Sequence, residues 1–74
     1  MEQVIIKENC NLTTGYICEF RNENSELFGK ECYLMECDVP FKMRNKIKIG
    51  HIYNAKIIHR DDEKSFYDVS LKNF

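Results

Sequence analysis

Apolar and polar positions alternate with a period of two along most of the chain, in short stretches separated by polar or charged breaks. That is the pattern of half-buried strands. Val4-Ile5-Ile6-Lys7 is a short β-branched run, ended by Glu8-Asn9 and the polar stretch from Asn11 to Gly15. Tyr16, Cys18 and Phe20 fall on one side of the next run, with Ile17 and Glu19 on the other. Arg21 to Glu26 is a polar turn or loop. From Glu31 to Val39 a further strand would place Tyr33, Met35, Cys37 and Val39 on one face, and Cys32, Leu34, Glu36 and Asp38 on the other. A helix from Ser25 to Cys37 is the rival, with Phe28, Cys32 and Met35 near one stripe. Gly29 would cost such a helix about 1 kcal/mol relative to alanine, which favours the strand.

Pro40 forces Val39 to be extended and makes Asp38 a plausible N-cap for one helical turn or structured loop over Phe41 to Asn45. From Lys46 the alternation resumes through Ile47 and Ile49, breaks at Gly50, and continues through Tyr53, Ala55 and Ile57. A glycine there suits a bulge or a corner. Arg60-Asp61-Asp62-Glu63-Lys64 reads as a charged hairpin turn, and the last strand sets Tyr67, Val69 and Leu71 against Phe66, Asp68 and Ser70. Five short strands, a short helical element after the third and a bend in the fourth predict an all-β domain. A small five-stranded OB-like (oligonucleotide-binding) barrel leads, because closure removes the exposed edges of a small sheet. An SH3-like barrel and a ββαββ sandwich are the alternatives.

With 74 residues, 43% of them hydrophobic, the chain has room for one domain, residues 1–74, and is too apolar to be disordered. No apolar run exceeds four residues, and Met1-Glu2-Gln3 has neither a basic nor an apolar leader region. A cytoplasmic protein without a membrane span is therefore expected. The net charge of −1 conceals a division. Residues 1–38 hold eight acids and three bases, and residues 39–74 hold eight bases and four acids. Between Val39 and Arg60 lie Lys42, Arg44, Lys46, Lys48, Lys56 and Arg60 with no acid among them. Such asymmetry points to an acidic partner such as a nucleic acid, or to mutual neutralisation across the fold.

Cys10, Cys18, Cys32 and Cys37 do not have the paired close spacing that aims thiolates at one zinc ion, and free thiols in a reducing compartment are expected. His51 and His59 would share the face of Tyr53, Ala55 and Ile57. At about 3.3 Å per residue they would lie roughly 26 Å apart, too far to cooperate. No phosphate loop, nucleophile elbow or metal motif is present, so neither an enzyme nor a cofactor is expected.

Lys48-Ile49-Gly50-His51-Ile52-Tyr53-Asn54-Ala55-Lys56-Ile57-Ile58, the charged turn, and Asp68-Val69-Ser70-Leu71-Lys72 resemble the last hairpin of S1-type OB domains. Lys42-Met43-Arg44-Asn45-Lys46, with Gly15 at a similar distance before it, resembles the Lys-Met-Arg stretch of bacterial translation initiation factor one. The segment Glu23 to Gly29 departs from the family's Glu-Asn-Gly turn. The resemblance implies an OB fold and an RNA or single-stranded nucleic-acid ligand.

Such a domain stacks bases on exposed aromatic rings and follows the backbone with basic side chains. Phe66 is one candidate platform, and Tyr16 or Phe20 the second. Lys42, Arg44, Lys46, Lys48, Lys56, Arg60 and Lys72 are the candidate phosphate contacts. Tyr16 and Phe20 also share a stripe with Cys18 that fits a core, and Phe41 and Met43 could plug a barrel end. The alternative function is a phage or mobile-element protein that binds and modulates a host protein. The acidic first half would then meet a basic partner. A composition rich in Asn, Lys, Ile and Glu suits an AT-rich genome of that kind.

Overall fold

The computed structural model describes Met1 to Lys72. Five strands form in chain order: β1 (Glu2–Asn9), β2 (Gly15–Phe20), β3 (Glu31–Met35), β4 (Ile52–Asp61) and β5 (Phe66–Ser70). They close into a barrel in the order β1-β2-β3-β5-β4, with β4 returning to β1. Every pairing is antiparallel except the β3–β5 seam, a parallel ladder of Tyr33 against Asp68 and Leu34 against Val69. Among the described residues no helix is long and apolar enough to cross a membrane.

Alternation puts the branched and aromatic members of each strand inside. Val4 and Ile6 from β1, Cys18 and Phe20 from β2, Cys32 and Leu34 from β3, Ala55 from β4, and Tyr67 and Val69 from β5 are all buried. Phe20 meets Tyr67 edge to face, with centroids 5.7 Å apart. The Tyr67 hydroxyl donates to Asp62 Oδ1 at 2.8 Å, which satisfies the polar end of a buried ring. Cys18 and Cys32 are cross-strand partners inside the barrel, while Cys37 is exposed.

The segment between β2 and β3 is not a helix. Asn22 Oδ1 accepts from the Asn24 amide and Ser25 Oγ from the Leu27 amide, at 3.1 Å each. These side chains satisfy local backbone donors that a helix would use. Leu27 is thereby turned into the core, and Gly29 takes φ +84°.

Four local expectations are corrected. The third strand stops at Met35 instead of Val39, because Glu36–Asp38 turns as a 3₁₀ helix that carries Val39 into the core. A second 3₁₀ turn, Phe41–Met43, follows with Pro40 rather than Asp38 at its cap. Its Met43 packs on the core while Phe41 is 86% exposed. Lys46 to His51 is loop, not strand, despite its alternation. Gly50, at φ +88°, donates to the Ile6 carbonyl at 2.7 Å, and Ile6 donates to the His51 carbonyl at 3.0 Å. Finally, a bulge between Ile57 and His59 reverses the parity of β4, so His59 leaves the face of Tyr53, Ala55 and Ile57 and lies against Phe66.

Gly15 opens β2 where that strand crosses close to β3. A Cβ there would stand 2.5 Å from the Leu34 carbonyl oxygen, a backbone atom with no freedom to retreat. Gly15→Ala should therefore cost about 1–3 kcal/mol, the usual penalty for overpacking. A lowered urea midpoint at unchanged slope is the expected observation, whereas an unchanged midpoint would mean that the β2–β3 approach is soft.

Candidate nucleic-acid interface

The outer face of β4, the second 3₁₀ turn and the segment after β5 meet around two adjoining depressions. One, of about 500 Å³, is lined by Lys42, Met43, Tyr53, Asn54, Leu71 and Lys72, with Pro40 at its edge. The other, of about 400 Å³, shares Asn54, Leu71 and Lys72 and adds Lys56 and Ser70. Among the described residues neither lining contains a carboxylate. The groove is held by the backbone: Leu71 N–H donates to the Asp38 carbonyl at 3.0 Å, and Lys72 N–H to Ser70 Oγ at 3.1 Å. Tyr53 fixes the loop before β4, since its hydroxyl accepts from the Lys48 amide at 3.2 Å and donates to the Lys46 carbonyl at 3.5 Å. Lys46 and Lys48 are thus tied to the same side of the barrel. The described lining brings the ammonium groups of Lys42, Lys56 and Lys72 and the amide side chain of Asn54 to one side of the barrel.

The other sequence candidates lie apart. Arg44 turns inward, donating from Nε to the Val39 carbonyl at 3.4 Å, and its guanidinium carbon sits 5.7 Å from the Phe41 centroid. With Tyr16 it lines a different opening of about 350 Å³ that also contains Glu36. Tyr16 is half-buried against the core, and Phe20, the other platform candidate of that strand, is fully buried in it, as their shared stripe with Cys18 allows. Phe20 therefore offers no ring for stacking. Arg60 is occupied by Glu26 and by Asp62, at 3.0 Å from the latter, and those hydrogen bonds hold its pKa above the ordinary arginine range.

Phe66 does point outward, at 41% exposed, but it stands at the other end of the β4–β5 wall. It lies four positions along β5 from Ser70, the partner of Lys56, which is about 13 Å at strand rise. Its neighbours are Tyr33, stacked with centroids 5.3 Å apart, and His59, edge-on at 5.8 Å. Sequence reasoning missed both of these partners. The β3 alternation carried the only signal for Tyr33, and it is ambiguous because both faces are apolar. The bulge that presents His59 leaves no mark in the hydrophobic pattern.

Asp68 pairs across the ladders with both Tyr33 and His59. Burial pushes its carboxyl pKa up, His59 opposes that rise, and the charge of Asp38 adds to it. A carboxyl whose folded pKa is raised penalises the native state at neutral pH, and the penalty disappears below its unfolded value near 4. Asp68→Asn should therefore raise the Tm at pH 7 and lose that advantage at pH 3. Equal effects at both pH values would mean that shape rather than charge is responsible.

No protein-family model and no curated protein matches the sequence. Among solved structures, a chain of the crystal structure of an a/eIF2alpha–aDim2p–rRNA complex from Pyrococcus horikoshii OT3 is similar in fold over 96% of this chain, with a TM-score of 0.77 and 24% identity. This chain spans 41% of the length of that one. The OB-like fold expected from the sequence thus holds for the chain, a closed five-stranded barrel.

Proposed function

We propose that this OB-like barrel is a non-enzymatic RNA-binding module, with single-stranded RNA lying in the groove of Lys42, Lys56 and Lys72. The convergence of Lys42, Lys56 and Lys72 on one groove is the observation that carries the reading. Phosphates would sit on the three lysines, Asn54 would supply hydrogen bonds to base edges, and Lys46 and Lys48 would extend the positive field along the loop. The rRNA in the structurally similar complex supports the same ligand class.

The test is an amide NMR titration of the chain with a short mixed-sequence single-stranded RNA at low and then moderate salt. Salt-sensitive shifts at Lys42, Asn54, Lys56 and Leu71 are expected. A spectrum that does not move would reject the reading. A protein partner is the second reading, favoured by the acidic surroundings of the aromatic end of the wall.

A further inference from the structure

Around Phe66 the surface changes character. A cleft of about 240 Å³ opens where the turn between β1 and β2 meets β3 and β5, lined by Leu12, Tyr33, Met35 and Phe66 along with Thr13 and Cys10. Leu12, at the rim, is 93% exposed. Asp68 is the one charged residue in the lining. Its carboxylate is half-buried and accepts no hydrogen bond among the described residues, with His59 beside it across the β4–β5 ladder and side chains around it that are largely apolar. Two further carboxylates flank the aromatic pair: Asp61 faces Phe66 across the β4–β5 ladder, and Glu31 accepts from the Tyr33 hydroxyl at 3.2 Å.

A half-buried carboxylate that accepts no hydrogen bond is stabilised by a cation. Exposed aromatic rings attract the same cation through their faces. A methionine and a leucine beside them suit the methylene stem that carries it. A guanidinium meets all three demands at once, because its planar fork matches a carboxylate while its face lies on a ring. A polynucleotide would bring phosphates toward Asp61, Asp68 and Glu31, against the charge of the site.

We propose that this cleft receives an arginine side chain of a partner protein, its guanidinium between Asp68 and Phe66 and its stem along Met35 and Leu12. The site is separate from the lysine groove, so one chain would hold RNA and a protein at the two ends of one wall.

The experiment titrates the full chain with a blocked pentapeptide carrying arginine between two leucines, glycine at each end, and with the same peptide carrying citrulline instead. Citrulline keeps the shape and removes the charge without altering the protein. Aromatic and amide resonances of Tyr33, Met35, Phe66 and Asp68 are expected to move, with about tenfold weaker binding for the citrulline peptide. Asp68→Asn should weaken the arginine peptide by a similar factor and leave the citrulline peptide unchanged. Equal affinities for the two peptides, shifts confined to other surfaces, or no shifts would overturn the proposal. So would single-stranded RNA that moves these same resonances at lower concentration than the peptide does, which would identify the cleft as a base-stacking site. The groove of Lys42, Lys56 and Lys72 is read from different resonances, so its failure and this one are distinguishable.

Discussion

Phe20→Ala is expected to leave the chain largely unfolded at 37 °C. Phe20 is fully buried and packs edge to face on Tyr67, joining β2 to β5 through the middle of the barrel. Truncating a buried phenylalanine costs about 3–5 kcal/mol, of which the lost ring pair contributes about 1 kcal/mol. A domain of 74 residues has a total stability of only about 4–11 kcal/mol. The cost is therefore a large share of that total and equals all of it at the lower end of the range, where marginal small barrels lie. Urea unfolding followed by circular dichroism is the measurement. A loss below about 1 kcal/mol would mean that the barrel collapses around the gap and that Phe20 is not its centre.

The second large effect concerns RNA. Replacing Lys42, Lys56 and Lys72 together by glutamine removes three positive charges from the groove while keeping side chains of similar length. Each phosphate contact on a single strand contributes about 0.7 to the slope of log K against log salt. Three contacts account for a slope of about 2, and near 0.1 M salt for a loss of roughly 100-fold in affinity. Fluorescence anisotropy at several salt concentrations separates this from misfolding, because a misfolded variant would not retain the circular dichroism of the parent. An unchanged slope would place the RNA elsewhere on the barrel. Arg60→Gln is the matched control: Glu26 and Asp62 already occupy that guanidinium, so little change in slope is expected.

The barrel was legible wherever alternation was strict and one face was plainly apolar. Tyr67 and Val69 inside with Phe66 outside, and Cys18 and Phe20 inside, follow directly from the period of two. The reading failed where a local backbone event overrides the pattern. Ile47 and Ile49 alternate with lysines as a strand would. Even so, Gly50 at positive φ and the hydrogen bonds of its neighbours to Ile6 hold that stretch as a loop. The bulge at Ile57/His59 likewise shifts parity without changing composition. The site was legible in part. The charge division picked out the basic half, and Lys42, Lys56 and Lys72 come together through barrel closure. That Arg60 would be held by Glu26, 34 positions away, is a long-range pairing that no window of sequence displays. The same limit concealed Tyr33 beside Phe66, since their strands touch only through the parallel seam.

That seam also determines where the molecule opens. The β3–β5 ladder holds two residue pairs, fewer than any other in the barrel, and it joins segments more than thirty positions apart. A short ladder between distant segments is the last to assemble and the first to part, so its amides are the ones that native-state hydrogen exchange would find least protected. Tyr33 and Asp68 are one of its two pairs and also line the cleft beside Phe66. Whatever occupies that cleft clasps the barrel across its weakest join. Its arrival would register as slowed exchange at the seam before any change of shape.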